Sequence, residues 1–263
     1  MEIEIDIKRS LEKNAAGYFE KAKRFRKKAK GAEEAVVRFE KQLHDLEKKK
    51  KKELIKEEKR EKLLVKRSLP VQWYEKFHWF ISSENFLCIG GRDATSNEII
   101  IKKHSEKNDL IFHSELPGSP FFVIKTMGKR PGSITIRETA KMTLTYSKAW
   151  RMNISAGEVY YVLPEQVSKK APSGEYVSKG SFMISGKRNF VSADLDLAVG
   201  LLDDNRAMAA PLSAVKKHCK KFKVVLPGRN KPSDCAKKIA KELNVSIDEI
   251  MRLLPGGSCE VKK

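Results

Sequence analysis

The stretch Trp73–Glu98, WYEKFHWFISSENFLCIGGRDATSNE, restricts the possible folds more than any other part of the chain. It opens with five aromatic residues, Trp73, Tyr74, Phe77, Trp79 and Phe80. Side chains of that size dominate a core wherever they are buried, so core packing is their first use. Stacking of nucleobases is the alternative. Two short apolar runs follow, 79–82 and 86–89, parted by Ser83-Glu84-Asn85. That pattern predicts an antiparallel hairpin with a polar tip. Gly90 and Gly91 come next and can adopt backbone angles closed to other residues. After the charged pair Arg92-Asp93, the quartet Thr95-Ser96-Asn97-Glu98 fits a capping box, with the Thr95 hydroxyl and the Glu98 carboxylate closing a helix over Glu98–His104. The expected order is strand, strand, tight glycine turn, helix. Such a turn gathers free N–H groups at a helix N-terminus, which favours anions. The Arg92 guanidinium adds a fork suited to phosphate. The structural alternative is that Arg92 and Asp93 pair with each other and cap the helix.

Further blocks follow in a fixed order. They are His113-Ser114-Glu115-Leu116-Pro117-Gly118-Ser119-Pro120, Thr145-Tyr146-Ser147-Lys148-Ala149-Trp150, Ala171-Pro172-Ser173-Gly174-Glu175-Tyr176, Gly180-Ser181-Phe182-Met183-Ile184 and Gly186-Lys187-Arg188-Asn189. Together with Trp73–Glu98 they resemble the NFACT-R domain of the NFACT proteins of ribosome-associated quality control, in an archaeal-like form. The resemblance covers most of the chain. It implies that full-length relatives recognise obstructed large ribosomal subunits carrying tRNA and a nascent chain, and help to extend that chain. It also implies a long coiled coil, preceded by an NFACT-N domain and a helix-hairpin-helix region. Neither of those two is recognised in these residues, which points to a piece of a longer protein or a short natural member. The family's tRNA-handling and tail-synthesis residues belong to the NFACT-N domain, so no catalytic residue is carried over.

From Ala15 a regular three-four spacing runs through Tyr18, Ala22, Phe25, Ala29, Ala32, Val36, Phe39, Leu43 and Leu46. More than four heptads of this kind predict a coiled-coil seam. Gly31 inside it costs about 1 kcal/mol of helix propensity. Past Leu46 the seam gives way to the lysines 48–52. The helix either continues to about Lys66 as a solvated rod or turns back there. The seam needs a partner helix, in cis from Leu54–Leu69 or from a second chain in a homodimer. Pro70 is a sensible end to this arm.

The arm carries 23 Lys/Arg against 14 Asp/Glu, a net of +9 over residues 1–70. Residues 71–214 hold 18 against 15, a net of +3, and residues 215–263 hold 13 against 5, a net of +8. The whole chain is at +20, with its excess on the two ends, and suggests a polyanionic partner. A plain solubility surface is the bland alternative, but it does not need one sign to dominate so strongly. No run of about 18 apolar residues occurs, so no membrane role is expected. Four scattered cysteines, Cys88, Cys219, Cys235 and Cys259, lack any C-x-x-C spacing and are expected as free thiols in a reducing cytoplasm.

The fold class expected is α+β, a mixed sheet-and-helix domain behind a long helical arm. The division expected is a basic coiled-coil arm over 1–70, an α+β core over 71–214 and a basic helical extension over 215–263 packed on that core. Within the core, strands are expected at 110–113, 121–126 and 158–163, and a helix at 136–151. A long polar loop is expected over 164–179, and a hairpin of 181–185 with 189–192 across Gly186-Lys187-Arg188. The apolar run 195–202 leads to an acidic loop at Asp203-Asp204. Behind it come a basic helix over 213–221, a strand at 223–226, a turn at Pro227-Gly228-Arg229 and helices at 233–243 and 246–254. The last of these opens with the capping box Ser246-Ile247-Asp248-Glu249. The final two helices have helix-turn-helix spacing, although packing on the domain explains them at least as well.

Candidate nucleic-acid contacts are Arg92 and an exposed basic set: Lys102, Lys103, Lys125, Lys129, Arg130, Lys169, Lys170, Lys187 and Arg188. Gly90, Gly91, Asp93, Asn97 and Glu98 are expected to shape the turn beside them. Such contacts weaken with salt and need no base reading. His104, His113, Asp93 and Glu115 could assemble an acid–base site. The sequence has no metal-ligand spacing, P-loop or nucleophile elbow, so no metal, cofactor or enzymatic activity is expected. The function expected is non-catalytic binding of large-subunit ribosomal RNA, with tRNA as a second RNA partner. It would dock a cytoplasmic quality-control factor on the ribosome. A DNA-binding or DNA-sensing protein and an RNA-processing enzyme are the alternatives.

Overall fold

The computed structural model describes residues 4–65, 71–116, 118–170 and 177–262, without the side chains of residues 52 and 54–65. The chain divides into two units, Met1–Val65 and Lys66–Lys263.

The first unit is one helix, α1, Leu11–Val65. Its start is tied down locally: the Asn14 side-chain amide donates to the carbonyls of Asp6 and Ser10, and the Tyr18 hydroxyl donates to the Glu4 carbonyl. The helix passes Gly17 and Gly31 without a break. It also runs through 54–65, so that stretch extends the rod and does not fold back as a partner in cis. Chain stiffness explains this, because the lysines after Leu46 are good helix formers and no breaker intervenes. The seam lies open, with Phe25, Phe39, Leu43 and Leu46 all exposed.

The second unit has two antiparallel sheets. The larger holds β1 (His78–Ile81), β2 (Leu87–Gly90), β3 (Leu110–Ser114), β4 (Phe122–Lys125), β5 (Ala156–Val162) and β8 (Asn189–Asp194), in the order β1-β2-β4-β3-β5-β8. The hairpin of β1 with β2 pairs Trp79 with Ile89, and Asn85 at its tip takes a left-handed φ of 66°. The smaller sheet runs β10-β9-β11-β12, from β9 (Leu197–Leu201), β10 (Ala207–Ala210), β11 (Lys221–Asn230) and β12 (Cys259–Val261). A short third ladder joins β6 (Val167–Ser168) to β7 (Met183–Ile184). Phe77, Trp79 and Phe80 are buried, so most of the aromatic cluster is core. Cys88, Cys219, Cys235 and Cys259 are buried free thiols. No helix among the described residues is long and apolar enough to cross a membrane.

Helix α2 is Ala94–Lys103, and α3 (Ser133–Thr145) lies on β3, β5 and β8. Helix α3 buries four threonines: Thr139 donates to the Thr135 carbonyl and Thr143 to that of Thr139, both at 2.8 Å, while the Thr135 hydroxyl donates to the Glu84 carboxylate and the Thr145 hydroxyl accepts from Asp196 N. The expected helix 136–151 is in fact two. The Ser147 hydroxyl accepts from Ala149 N and starts α4, Lys148–Met152, afresh. The expected hairpin across Gly186 is also absent. Residues 183–184 pair with 167–168, whereas β8 pairs with β5, so the two sides of the turn enter different sheets. Pro227-Gly228 is not a turn but a bulge inside β11, where Pro227 and Asn230 both face Cys259.

The C-terminal stretch supplies α5 (Leu212–His218), α6 (Pro232–Leu243), α7 (Ile247–Leu253) and the strands β11 and β12. Helices α6 and α7 pack on each other, with α6 also on β11 and β12, and α7 on β10. The Ser246 hydroxyl caps α7 at Glu249 N as expected, while the Glu249 carboxylate accepts instead from Ala207 N at 3.1 Å. The Tyr146 hydroxyl and the Trp150 indole reach the Leu253 and Ser258 carbonyls.

Gly90 sits under the Phe122 ring, and a Cβ there would fall 2.3 Å from Phe122 Cζ. Phe122 is fully buried and cannot move aside. Gly90→Ala should therefore lower the unfolding free energy by about 1–3 kcal/mol, as overpacked sites do. Urea titration of the variant would measure this, and an unchanged midpoint would contradict the close fit.

Candidate nucleic-acid interface

The glycine turn is built as the sequence implies, but its cap lies two residues earlier. Asp93, not Thr95, is the N-cap of α2: its carboxylate accepts from Ser96 N at 2.7 Å, and the Ser96 hydroxyl accepts from Asp93 N at 2.8 Å. The Ser96 hydroxyl also takes the Arg92 N–H at 2.8 Å. Asp93 wins because an extended Asp before the first helical turn is a stronger cap than a Thr already inside it. These bonds hold the Asp93 carboxyl below its usual range, the Ser96 backbone bond being the largest cause. Arg92 does not pair with Asp93. It turns inward, where Nη2 donates to the Phe77 carbonyl at 3.0 Å.

Glu98 is thus free of capping and does something else. Its carboxylate takes Lys169 Nζ at 2.8 Å, Gly180 N at 3.1 Å and Lys102 Nζ at 3.0 Å. Those bonds pull its pKa down to about 2, the Lys169 bond being the largest cause. Lys169 also donates to the Ser178 carbonyl and lies over the Phe182 ring. The segment 178–182 is strapped in this way over the start of α2. Gly180 has φ +80°, and a Cβ there would come within 2.5 Å of Ala94 Cα, so only glycine fits.

Strap and turn enclose a cleft of about 570 Å³. One wall is His78 stacked on Tyr146 at 3.8 Å, with Arg92 beside them. The other is His113 stacked on Phe121 at 4.2 Å, with Tyr160 and Phe182. Burial drives the His78 pKa down to about 3, with Arg92 adding to it, and the His113 pKa down to about 4. Burial likewise raises the Tyr146 hydroxyl. Both imidazoles are therefore neutral at pH 7. Among the described residues, two buried side-chain polar atoms find no partner, His78 Nδ1 and Arg92 Nε. Both residues line this cleft.

The basic set is dispersed. Lys125 is buried, with Asp109 at 2.5 Å and Glu106 at 3.0 Å, so it is a core ion pair and not an exposed contact. Its β4 position turns it inward, which an isolated lysine in the sequence does not reveal. Lys102 and Lys169 converge on Glu98. Arg188 pairs with Glu115 at 2.7 Å and lies over Tyr160. Lys103, Lys170 and Lys187 are exposed, as are Lys129 and Arg130 on the turn after β4. Gln166 Nε2 fixes the Lys187 turn through the Ser185 and Lys187 carbonyls.

The expected acid–base set is not assembled. His104 stacks on Trp73 at 4.4 Å and does not line the cleft. Asp93, His113 and Glu115 do line it, but Asp93 caps α2 and Glu115 holds Arg188. Residue-by-residue reading did not single out His78, Tyr146, Tyr160, Lys179 or Gly180 as site residues. A signal did exist. The blocks 90–98, 113–120, 145–150 and 180–184 all contribute to the one cleft. Pro117 and the block 171–176 lie outside the described residues.

The mixed domain thus brings the separate sequence blocks that resemble NFACT-R together in one aromatic cleft. The family model for the NFACT protein RNA binding domain matches residues 76–186. Archaeal Rqc2 homolog aRqcH of Methanocaldococcus jannaschii is 39% identical over 199 residues, covering 73% of this chain and 30% of that protein. The ribosome quality control complex subunit NEMF homolog of Drosophila melanogaster is 38% identical, over 76% of this chain and 20% of that protein. The NEMF subunit of Homo sapiens is 44% identical, over 62% of this chain and 15% of that protein. Residues 76–186 are thus an NFACT-R domain of the NFACT family, in a chain that spans less than a third of the length of these relatives.

The neutral imidazoles set a pH response. His78 and His113 titrate lower in the fold than the ordinary value of 6.5, so the unfolded chain binds more protons below that value. Their contribution to stability is complete above pH 6.5 and is lost as pH falls toward 4 and then 3. Melting temperature should drop between pH 7 and pH 5, and less so in His78→Phe. Equal pH dependence in variant and parent would remove His78 from this account. Separately, Glu98→Ala should speed hydrogen exchange at the Gly180 amide, because that N–H loses its acceptor. Unchanged exchange would mean that other contacts hold the strap.

Proposed function

We propose that this chain binds RNA on the large ribosomal subunit, ribosomal RNA first and tRNA second, and docks a quality-control factor there without catalysing a reaction itself. What carries this reading is that the stretch matching the RNA-binding family model, residues 76–186, contains most of the cleft lining. Three further observations support it. The charge excess lies on the flanks, +9 over 1–70 and +8 over 215–263. Lys103, Lys129, Arg130, Lys170 and Lys187 are exposed and available to phosphates. The two carboxylates that line the cleft are occupied in a cap and an ion pair, which suits binding better than proton transfer. The open seam of α1 forms one limb of a coiled coil with a second helix. The site of action is the cytoplasm, where ribosomes are.

Lys125 leaves the contact set, and Arg92 enters it through the cleft and not as a surface cation. Phosphate contacts release counterions, so affinity for RNA should fall steeply with salt. Replacing Lys129 and Arg130 together with alanine should shallow the log–log salt slope by about two ion units. An unchanged slope would exclude that turn. Structured RNA should bind more tightly than duplex DNA at one salt concentration, and the reverse order would favour a DNA-binding protein.

A further inference from the structure

The cleft has a composition that backbone-phosphate binding alone does not explain. A phosphate site needs cations and N–H donors, but this lining also carries six flat rings, among them His78 on Tyr146, His113 on Phe121, and Phe182 meeting Phe121 edge-on at 5.3 Å. The volume, about 570 Å³, lies within the range of roughly 300–1,000 Å³ for sites that enclose a small molecule. Its cations sit at one side. Arg92 lines the turn before α2, and Arg252 is near enough to depress it further after burial has done most of the work. Lys179 lies on the strap and is exposed. Of the two lining carboxylates, Glu115 is paired with Arg188, whereas Asp93 caps α2 and still acts electrostatically on both Arg92 and Lys179, so the net charge of the cleft is small.

Two buried polar atoms without partners, His78 Nδ1 and Arg92 Nε, belong to lining residues. Buried polar groups are nearly always paired, and an unpaired pair beside one cleft marks a place where a polar ligand changes the balance. A nucleobase has the matching chemistry. Its faces stack on aromatic rings and imidazoles, and its edges carry donors and acceptors for neutral imidazole and guanidinium.

We propose that this cleft takes one unpaired nucleotide of the bound RNA, with its base between the His78–Tyr146 and His113–Phe121 walls and its phosphate toward Arg92 and Lys179. The proposal rests on the RNA-binding reading above and goes further by naming what the cleft selects. Flanking cations then supply affinity for any RNA, and the cleft selects RNA with a free single-stranded end or bulge. The strap held by Glu98 closes one side, so strap and nucleotide recognition are coupled. The neutral imidazoles fit this role, since each offers one donor and one acceptor nitrogen to a base edge.

The test compares two RNAs on the full chain: a hairpin with a four-nucleotide single-stranded 3′ extension, and the same hairpin with a blunt end. The extension should tighten binding by roughly tenfold, the scale of one stacked base. Lys179→Gln, on the exposed strap, should remove most of that increment while weakening the blunt hairpin no more than Lys103→Gln does, and equal losses on the two hairpins would count against the cleft. His78→Phe keeps the stacking ring and removes the polar nitrogens; it should also reduce the increment, with a melting curve confirming the fold. Photocrosslinking of the extended hairpin should label peptides containing Tyr146, Tyr160 or Phe182. Equal binding of the two hairpins, or crosslinks confined to other peptides, would overturn the cleft proposal while leaving RNA binding in place. If neither hairpin binds, the RNA-binding reading fails and the proposal falls with it.

Discussion

Three backbone and side-chain groups share a space too small for a fourth. Gly91 N donates to the Phe121 carbonyl at 3.0 Å, and Phe121 N donates to Asn97 Oδ1 at 3.2 Å. A Cβ on Gly91 would lie 1.8 Å from that same amide oxygen. This knot joins the end of β2, the first turn of α2 and the start of β4. It fixes where α2 begins relative to the sheet, and so places Arg92 and Asp93 together. It also positions Phe121, which backs His113 on one side and Phe182 on the other. One side of the cleft is therefore a consequence of a packing constraint at one glycine, and the strap held on Glu98 supplies the other.

Three charges among the described residues, Asp109, Lys125 and Glu138, are buried and satisfy polar groups inside the domain. Asp109 is buried, takes Lys125 Nζ and the Thr126 N–H, and closes the β4 end. Glu138 is buried on α3 and accepts from the Ser83 amide and hydroxyl at the hairpin tip and from the Ser213 hydroxyl at α5. Removing one partner from such a set leaves a charge stranded, which costs far more than the pair itself contributes. Lys125 illustrates how this misleads: a lysine on a strand next to a turn looks like a phosphate contact until its register is known. Arg92 illustrates the converse, a cation that is half-buried yet still lines the cleft.

The fold was legible where local rules suffice. The β1–β2 hairpin, the α2 helix, the Ser246 cap and the arm follow from alternation, turn residues and three-four spacing. Legibility failed where pairing is non-local. Nothing near Gly186 says that 183–184 will join 167–168 while 189–194 joins β5, since both options satisfy the local pattern. The Pro227-Gly228 bulge reads as a turn because the same residues serve both uses. The Asp93 cap could have been found, since an Asp ahead of Ala-Thr-Ser is as good a start as Thr95; the Glu at 98 drew attention away from it. The site was legible as a set of blocks but not as residues, because a cleft wall is assembled from four segments whose proximity only the sheet order supplies.

That assembly separates affinity from selectivity. On the proposed reading, exposed lysines at α2, the β4–α3 turn and the Lys187 turn would act on any polyanion and be screened by salt in proportion to their number. The cleft has few free cations, neutral imidazoles and a strap anchored by an ion-paired carboxylate, so its proposed contribution should change less with salt than theirs. Contacts that position a polynucleotide and contacts that distinguish one are different in kind. Here they also lie on different parts of the domain: the first on exposed turns, the second between β1, α2, β3 and the strap. A domain of nearly balanced charge between basic flanks is what that separation requires, because a cleft as basic as its flanks would hold any phosphate and distinguish none.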